Sequence, residues 1–315
     1  MLHDKSNKKI LEELNQRVYG HADAKKSLIT LVNRSKLRHY QKWGELLPKE
    51  SLLKPAKCLL IGGSGTGKTH LVQTLADIAN FPLLVIDATN FNPTGASGGI
   101  KPETLRRMIV KKASEYADAR EGTYFSIEGV IDQMVVFVDE FDKISSHYDG
   151  SSGGNWNQHL QTHFLTIFEN NEELSGVSWV FAGAFSGMDK ESSIVKHGIG
   201  FHAKSEETKA SGVNDEDIVK YGMLPEIVGR LTSICRLDKL TEEDYYNILV
   251  ENVIPHKMLE LSYFKVYDID LTDDQLREIA KGATSSSQGV RYLYREIDKH
   301  FLDIEFNYED IEVDV

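Results

Sequence analysis

The sequence predicts an α/β fold, with a large domain built on a parallel sheet flanked by helices and a small, mainly helical C-terminal domain. Two observations predict it. Short runs that are apolar throughout recur in the first 237 residues, and beyond residue 238 these runs fade while helical signals persist. Uninterrupted apolar runs are typical of parallel strands that are covered on both faces. The runs are KCLLI (57–61), PLLVID (82–87), MVVFVDE (134–140), VSWVFAG (177–183) and TSICRL (232–237).

Helical segments separate these runs, as a βαβ arrangement requires. The clearest segment follows the first run, where Leu71, Leu75, Ile78 and Ala79 share one face at helical spacing. We therefore predict a doubly wound sheet within residues 1–237.

The C-terminal domain is predicted over residues 238–315 from its helix signals. Gly282 is expected to end one of its helices, and a longer apolar stripe predicts the last helix. Two capping boxes mark helix starts: Thr241 with Asp244, and Thr272 with Gln275. This helix is expected to bury the apolar stripe Val290, Leu293, Tyr294, Ile297, Phe301 and Ile304.

Composition limits the classes of function. The chain has 315 residues and a net charge of −12, which argues against a general affinity for the nucleic acid backbone, although a local basic stripe could exist. Cys58 and Cys235 each lie in an apolar run, so both are expected to be buried, reduced thiols. Because no apolar run approaches roughly 18 residues and no signal peptide opens the chain, we expect a cytoplasmic protein.

Residues 62–69 read GGSGTGKT and satisfy the pattern G-x-x-x-x-G-K-[ST] between a strand and a helix. Glycines allow backbone N–H groups to converge on phosphate oxygens, and the start of the helix adds positive potential. Lys68 is expected to reach the β- and γ-phosphates of ATP, and the Thr69 hydroxyl to ligate Mg²⁺. His70 is also expected at the nucleotide, together with the loop residues Gly63, Ser64, Gly65, Thr66 and Gly67.

An acidic pair ends the third apolar run. Asp139 is expected to hold Mg²⁺ directly or through water, and Glu140 to orient and deprotonate the water that attacks ATP. The alternative is a strand that merely ends in exposed acids, and the pairing with the phosphate loop argues against it. The two motifs together predict an ATPase that uses Mg²⁺.

DEFDKI (139–144) and LPEIVGRL (224–231) resemble motifs of the AAA+ unfoldases of the ClpX and HslU type, ClpX most, from about residue 9 onward. The resemblance implies a P-loop AAA+ large domain, ATP-driven unfolding or remodelling of protein substrates, and a homo-oligomeric ring of the hexamer type. VYGHADAKKSL (18–28) is similar to the family's adenine-contacting segment. Val18 and Tyr19 are therefore expected to enclose the base, a role compatible with ordinary core packing.

The same resemblance implies roles for two arginines. Arg230 matches the arginine finger, a guanidinium offered to the ATP site of the neighbouring subunit. Arg291, in the triplet GVR, matches the sensor-2 arginine, so closure of the small domain would depend on which nucleotide is bound. FAGAFSG (181–187) is similar to the segment that carries sensor 1. Ala182 and Gly183 occupy the expected positions, and sensor 1 is left unassigned.

Two departures from ClpX bear on function. ClpX carries an N-terminal zinc domain with paired cysteines. Here seventeen residues precede the adenine-contacting segment and no C-x-x-C occurs, so neither zinc nor adaptor binding is expected. The family's pore loop, G-Y-V-G, corresponds to residues 95–98, where Ala96 replaces the aromatic ring that pushes on a polypeptide. The aromatic residues that could contact the polypeptide instead are Phe91, Tyr148 and Trp156. The alternative for each is a packing role.

Ile199-Gly200-Phe201 matches the I-G-F tripeptide with which ClpX docks into the peptidase ClpP. An apolar pair on a polar loop would suit a shallow pocket. Docking to a ClpP-like peptidase, which would be another chain, and local packing of the tripeptide are left as alternatives.

Three hypotheses for the function follow. The leading one is an ATP-driven protein remodeller of the ClpX type. The second is a nucleotide-switched assembly or scaffolding factor that binds a partner without threading it, and Ala96 motivates it. The third, a nucleic acid motor, fits the phosphate loop but not the net charge.

Overall fold

The computed structural model describes residues 5–44, 51–91, 102–119, 126–148, 156–169, 174–188, 213–263 and 271–306. The chain divides into two compact units. The first comprises Met1–Gly62 with Lys68–Leu237, and the second comprises Gly63–Gly67 with Asp238–Val315. Among the described residues, no helix has both the length and the apolar content that crossing a bilayer requires.

In the part of the first unit that the structure describes, five parallel strands form a sheet in the order β2-β3-β4-β1-β5. Each of the five apolar runs supplies one strand, so the predicted α/β fold with a parallel sheet is confirmed. The strands are β1 (Lys57–Ile61), β2 (Leu83–Asp87), β3 (Val135–Asp139), β4 (Ser178–Gly183) and β5 (Ser233–Arg236).

Helices cover the sheet, and the strands bury side chains on both faces. On β1, Leu59 and Ile61 enter one apolar core, whereas Cys58 and Leu60 enter the other. This explains why the strand sequences are apolar throughout instead of alternating. The helices are α1 (Asn7–Arg17), α2 (Ala22–Trp43), α3 (Lys68–Ala79), α4 (Pro102–Asp118), α5 (Ile127–Ile131), α6 (Trp156–Glu169), α7 (Asp215–Lys220) and α8 (Pro225–Val228). Among the described residues, 3₁₀ helices span Ala88–Asn90, Phe141–Ile144 and Ser146–Tyr148.

The two cysteines lie diagonally on neighbouring strands, and both are buried and free, as their apolar runs predict. Their Sγ atoms are 4.0 Å apart. The hydrogen bond from the Cys58 thiol lowers the pKa of Cys235 to about 7. The same hydrogen bond, together with burial, raises the pKa of Cys58.

The second unit is helical in its described residues. The predicted capping boxes are both present, with Thr241 accepting from Asp244 N–H and Thr272 from Gln275 N–H. The helices are α9 (Glu242–Ile248), a π-helical stretch (Leu249–Val253), α10 (Ile254–Ser262), α11 (Asp273–Ser285) and α12 (Val290–Phe306).

Two expectations for this unit were wrong. Gly282 does not end α11, which continues to Ser285. A Cβ at Gly282 would lie 2.5 Å from the Tyr292 hydroxyl oxygen, so this glycine permits a close approach of α12 instead. Tyr294 is 41% exposed, because the buried face of α12 is a narrower stripe that includes Leu293 and Ile297. The side chain of Ile304 lies outside the described residues.

Candidate functional site

In the first unit, the chain leaves β1 at Gly62 and enters α3 at Lys68. The Gly62 N–H continues the sheet pairing by donating to the Gly183 carbonyl at 3.1 Å. Lys68 is only 9% exposed, and its Nζ donates to the Gly62 carbonyl. The expected phosphate-binding lysine is therefore held at the carboxyl end of β1.

The two expected Mg²⁺ ligands are hydrogen-bonded to each other. Thr69 Oγ1, in the first turn of α3, donates to Asp139 Oδ2, at the end of β3, over 2.6 Å. The other carboxylate oxygen, Asp139 Oδ1, accepts the Glu140 N–H at 2.9 Å. A hydroxyl and a carboxylate are the hard oxygen ligands that Mg²⁺ uses alongside phosphate oxygens. The donor set therefore fits a Mg²⁺–nucleotide complex. His70, the next residue on α3, is exposed.

Glu140 has a left-handed backbone, with φ 52° and ψ 31°, and its side chain is exposed. This conformation turns the chain from β3 into the 3₁₀ helix Phe141–Ile144. A left-handed non-glycine residue costs about 1–2 kcal/mol, and such strain concentrates at functional sites. The conformation turns Glu140, the expected catalytic base, out of the alternation of β3.

Beside this turn lies a buried carboxylate that the sequence reasoning missed. Asp142 is 1% exposed, and its Oδ2 accepts the Phe185 N–H at 3.3 Å, at a left-handed residue with φ 46°. A Cβ on Gly183 would lie 2.7 Å from Asp142 Oδ1. Gly183 therefore cannot carry a sensor-1 side chain without displacing Asp142, and Ala182 is fully buried. The position of sensor 1 stays unassigned.

In the second unit, the expected phosphate loop is held by the residues that lead into α12. The Gly65 carbonyl accepts the Val290 N–H at 3.2 Å. Gly65 has φ +72°, and a Cβ there would lie 1.9 Å from the Gln288 carbonyl oxygen, so only glycine fits. Gly67 also has a left-handed backbone, with φ +86°. Thr66 Oγ1 donates to the Gly63 carbonyl at 2.9 Å.

Arg291 follows directly, and its guanidinium reaches the same loop. Arg291 Nη1 donates to Ser64 Oγ at 3.1 Å, and the Arg291 side chain is exposed. Within this unit, the expected sensor-2 arginine therefore contacts the expected phosphate loop.

The remaining expected contacts lie elsewhere in the first unit. Val18 is 5% exposed and packs in an apolar core, and Lys25 Nζ donates to its carbonyl. The neighbouring Tyr19 is half-buried.

Arg230 follows the short helix α8, where its Nη1 donates to the Glu226 carbonyl. Burial and the charge of Arg230 lower the pKa of Lys57.

Some of the residues expected to contact a substrate or a partner fall outside the described ranges. Ala96 and the Ile199-Gly200-Phe201 tripeptide lie outside the described residues, as does the side chain of Tyr148. Phe91 is 7% exposed and its ring centroid lies 4.7 Å from that of Phe164, so it is a core residue. Trp156 is 41% exposed.

The chain is similar to a protein-family model and to a ClpX protein. Residues 58–191 match the family model described as "ATPase family associated with various cellular activities (AAA)". The chain is also 28% identical to the "ATP-dependent Clp protease ATP-binding subunit ClpX" of Treponema denticola over 333 aligned positions. That alignment covers 94% of this chain and 75% of the relative.

Proposed function

Because this chain is a ClpX-like AAA+ ATPase, we propose that it hydrolyses ATP in a ring of six identical subunits and uses the energy to unfold or remodel proteins. The hydrogen bond between Thr69 and Asp139 carries the proposal. It joins a hydroxyl and a carboxylate that the ATPase motifs assign separately to one Mg²⁺ ion. The similarity to ClpX over nearly the whole chain supports the choice of protein substrates.

In this proposal, each motif has one task. Backbone N–H groups of the loop Gly63–Gly67 and the Lys68 ammonium bind the β- and γ-phosphates. The Thr69 hydroxyl and the Asp139 carboxylate hold Mg²⁺, which when bound neutralises negative charge on the phosphates. Glu140 accepts the proton of the water that attacks the γ-phosphate.

Adenine recognition and charge stabilisation come from residues farther along the chain. Val18 and Tyr19 enclose the adenine base. Arg291 links the bound nucleotide to α12, and its contact with Ser64 supports that role. Arg230 acts in trans, where its guanidinium stabilises charge that develops on the γ-phosphate of the neighbouring subunit. A complete site therefore needs two copies of this chain.

Delivery to a peptidase is the most specific part of the proposal. Ile199, Gly200 and Phe201 would dock into a ClpP-like peptidase, and the cytoplasm would be the compartment. Support comes from the tripeptide sequence and from the ClpX relative, whose name assigns it to a Clp protease.

The ATPase assignment is tested with Glu140→Gln, using Glu128→Gln as a control at an exposed glutamate of α5. Glu140→Gln should bind ATP but lower turnover by about 100-fold or more, because a general base contributes about 10²–10⁴-fold. Glu128→Gln should hydrolyse ATP normally. Continued hydrolysis by Glu140→Gln would rule out Glu140 as the base.

A second function, a nucleotide-switched assembly factor that binds its partner without threading it, is motivated by Ala96. A stably folded fluorescent protein carrying a degradation tag separates the two functions. Loss of fluorescence that requires ATP supports unfolding, whereas ATP-dependent binding with fluorescence retained supports the switch. Stimulation of ATP turnover by single-stranded DNA would instead support a nucleic acid motor.

A further inference from the structure

A buried glutamine in the core of the first unit hydrogen-bonds to the main chain of two other segments. Gln161, on α6, is 0% exposed. Its Nε2 donates to the Ile144 carbonyl at 2.9 Å and to the Gly222 carbonyl at 3.0 Å, and its Oε1 accepts the Leu224 N–H at 2.6 Å. A buried amide destabilises a core unless such bonds are made. Gln161 therefore holds two segments against α6, the end of the 3₁₀ helix Phe141–Ile144 and the turn at residues 222–224.

One of these segments leads away from Glu140, and the other leads toward Arg230. Ile144 ends the 3₁₀ helix that begins directly after Glu140. Leu224 is the N-terminal cap of α8, the helix that precedes Arg230. The Gln161 side chain thus links the segment that follows Glu140, the expected catalytic base, to the segment that precedes Arg230, the expected arginine finger.

The turn at Gly222 fits closely against its neighbours. Gly222 has φ +100°, and a Cβ there would lie 2.5 Å from Ser146 Oγ and 2.9 Å from the His147 nitrogen. The Ser146 N–H donates to the Gly222 carbonyl at 3.0 Å, and the rings of His147 and Tyr221 stack at 5.7 Å. The turn is therefore fixed on two sides, by α6 and by the segment after Glu140.

From Leu224 to Arg230 the chain is short and hydrogen-bonded. The Val228 N–H donates to the Leu224 carbonyl at 3.1 Å, and the Arg230 N–H donates to the Ile227 carbonyl at 3.0 Å. Ile227 and Val228 are each 2% exposed. Because little in this segment can flex independently, a displacement of Leu224 is passed on to Arg230.

We propose that Gln161 is a positioning residue for Arg230. Gln161 ties the segment that carries Arg230 to the segment that follows Glu140 in the same chain. The ATP site of each subunit therefore sets the position of the Arg230 side chain that the subunit offers to its neighbour. The inference rests on the proposed function, because Arg230 acts on ATP only in a ring.

The test uses Gln161→Met, which keeps the side-chain volume but removes all three hydrogen bonds. Gln158→Met, at an exposed position of the same helix, is the matched control. Gln161→Met should lower kcat for ATP about 10- to 100-fold, because small misplacements of a catalytic group cost that much. KM for ATP should stay within about twofold, since the nucleotide-binding residues of the subunit are untouched. Gln158→Met should match the wild type.

A double-mutant cycle separates positioning from general damage to the core. Arg230→Ala should lower kcat, and adding Gln161→Met to it should cause no further fall, because the group being positioned is already absent. The inference would be overturned if the losses multiplied in the double mutant, or if kcat were unchanged in Gln161→Met but lower in Arg230→Ala. Either result would leave the proposed function standing. Normal turnover by Arg230→Ala would overturn both.

Gly222→Ala provides a second route if Gln161→Met does not fold. Its added methyl group would clash with Ser146 and so displace the turn, while Gln161 and the core side chains keep their identity. The expected pattern is the same: a lower kcat, an unchanged KM and no further loss when combined with Arg230→Ala. A wild-type kcat in a folded, ring-forming Gly222→Ala protein would contradict the inference.

Discussion

Thr69 Oγ1 lies 2.6 Å from Asp139 Oδ2, so the first turn of α3 and the end of β3 meet through one hydrogen bond. The two residues are seventy positions apart in the chain. Their meeting follows from the strand order, in which β4 alone separates β1 from β3. The carboxyl ends of parallel strands share one edge of a sheet, which is where ligands bind in such folds.

Asp139→Asn should weaken Mg²⁺ binding while leaving the fold intact, because the amide keeps the shape of the carboxylate but loses its charge. The Mg²⁺ concentration that half-saturates ATP turnover should rise by about 10- to 100-fold. Asp87→Asn is the matched control, since Asp87 pairs in register with Asp139 on the neighbouring strand. An equal shift in both variants would contradict the assignment of Asp139.

Alanine substitutions in the phosphate loop should lower the free energy of unfolding to different extents. Gly65→Ala should be the most damaging, because its Cβ meets the Gln288 carbonyl and its φ is +72°. Gly67→Ala meets nothing within 4 Å but has φ +86°, so the left-handed strain of about 1–2 kcal/mol applies. At Gly63 the nearest atom is 3.9 Å away. Denaturant titrations should give the order Gly65→Ala, Gly67→Ala, Gly63→Ala, and another order would contradict the loop geometry.

Arg291→Ala should lower ATP turnover about tenfold or more, because it removes a positive charge at the phosphate loop. Arg295→Ala, one turn later on α12, should have little effect, since the Arg295 guanidinium lies over the Tyr292 ring and contacts Glu296. Steady-state assays at saturating Mg²⁺ compare the two. Equal activity in both variants would show that Arg291 has no role at the nucleotide.

The cysteine pair predicts an unusual pH dependence of alkylation. Because the Cys58 thiol stabilises the Cys235 thiolate, the pKa of Cys235 is lowered to about 7. Its thiolate fraction, and hence its rate of reaction with iodoacetamide, should rise through pH 7 instead of near 8.5. Cys58→Ala removes the donor, so the midpoint should move to higher pH. Peptide mass spectrometry after timed labelling measures both rates, and an unchanged midpoint would exclude the thiol pair as the cause.

Most of the fold could be predicted because its signals are local. Each strand is an apolar run of the right length, and each capping box places two partners three residues apart. The phosphate loop is likewise one continuous motif. Gly282 misled the prediction because a glycine near a helix end looks the same whether it ends the helix or admits a neighbour. Only the position of Tyr292 distinguishes the two.

Asp142 and Gln161 could not be found in this way. Asp142 bonds a backbone group forty-three positions later, and Gln161 bonds one sixty-three positions later. Neither partner is a side chain, so no residue type at a fixed spacing records the contact. Such residues read as ordinary polar positions until the chain is folded.

The division of the chain has a practical consequence for anyone who wishes to shorten it. A fragment ending at Leu237 would keep the complete GGSGTGKT signature. It would lack the Gln288–Arg291 turn, whose Val290 amide and Arg291 side chain brace Gly65 and Ser64. Such a truncation would be recognised as an ATPase by any motif search, yet its glycine loop would have lost those supports.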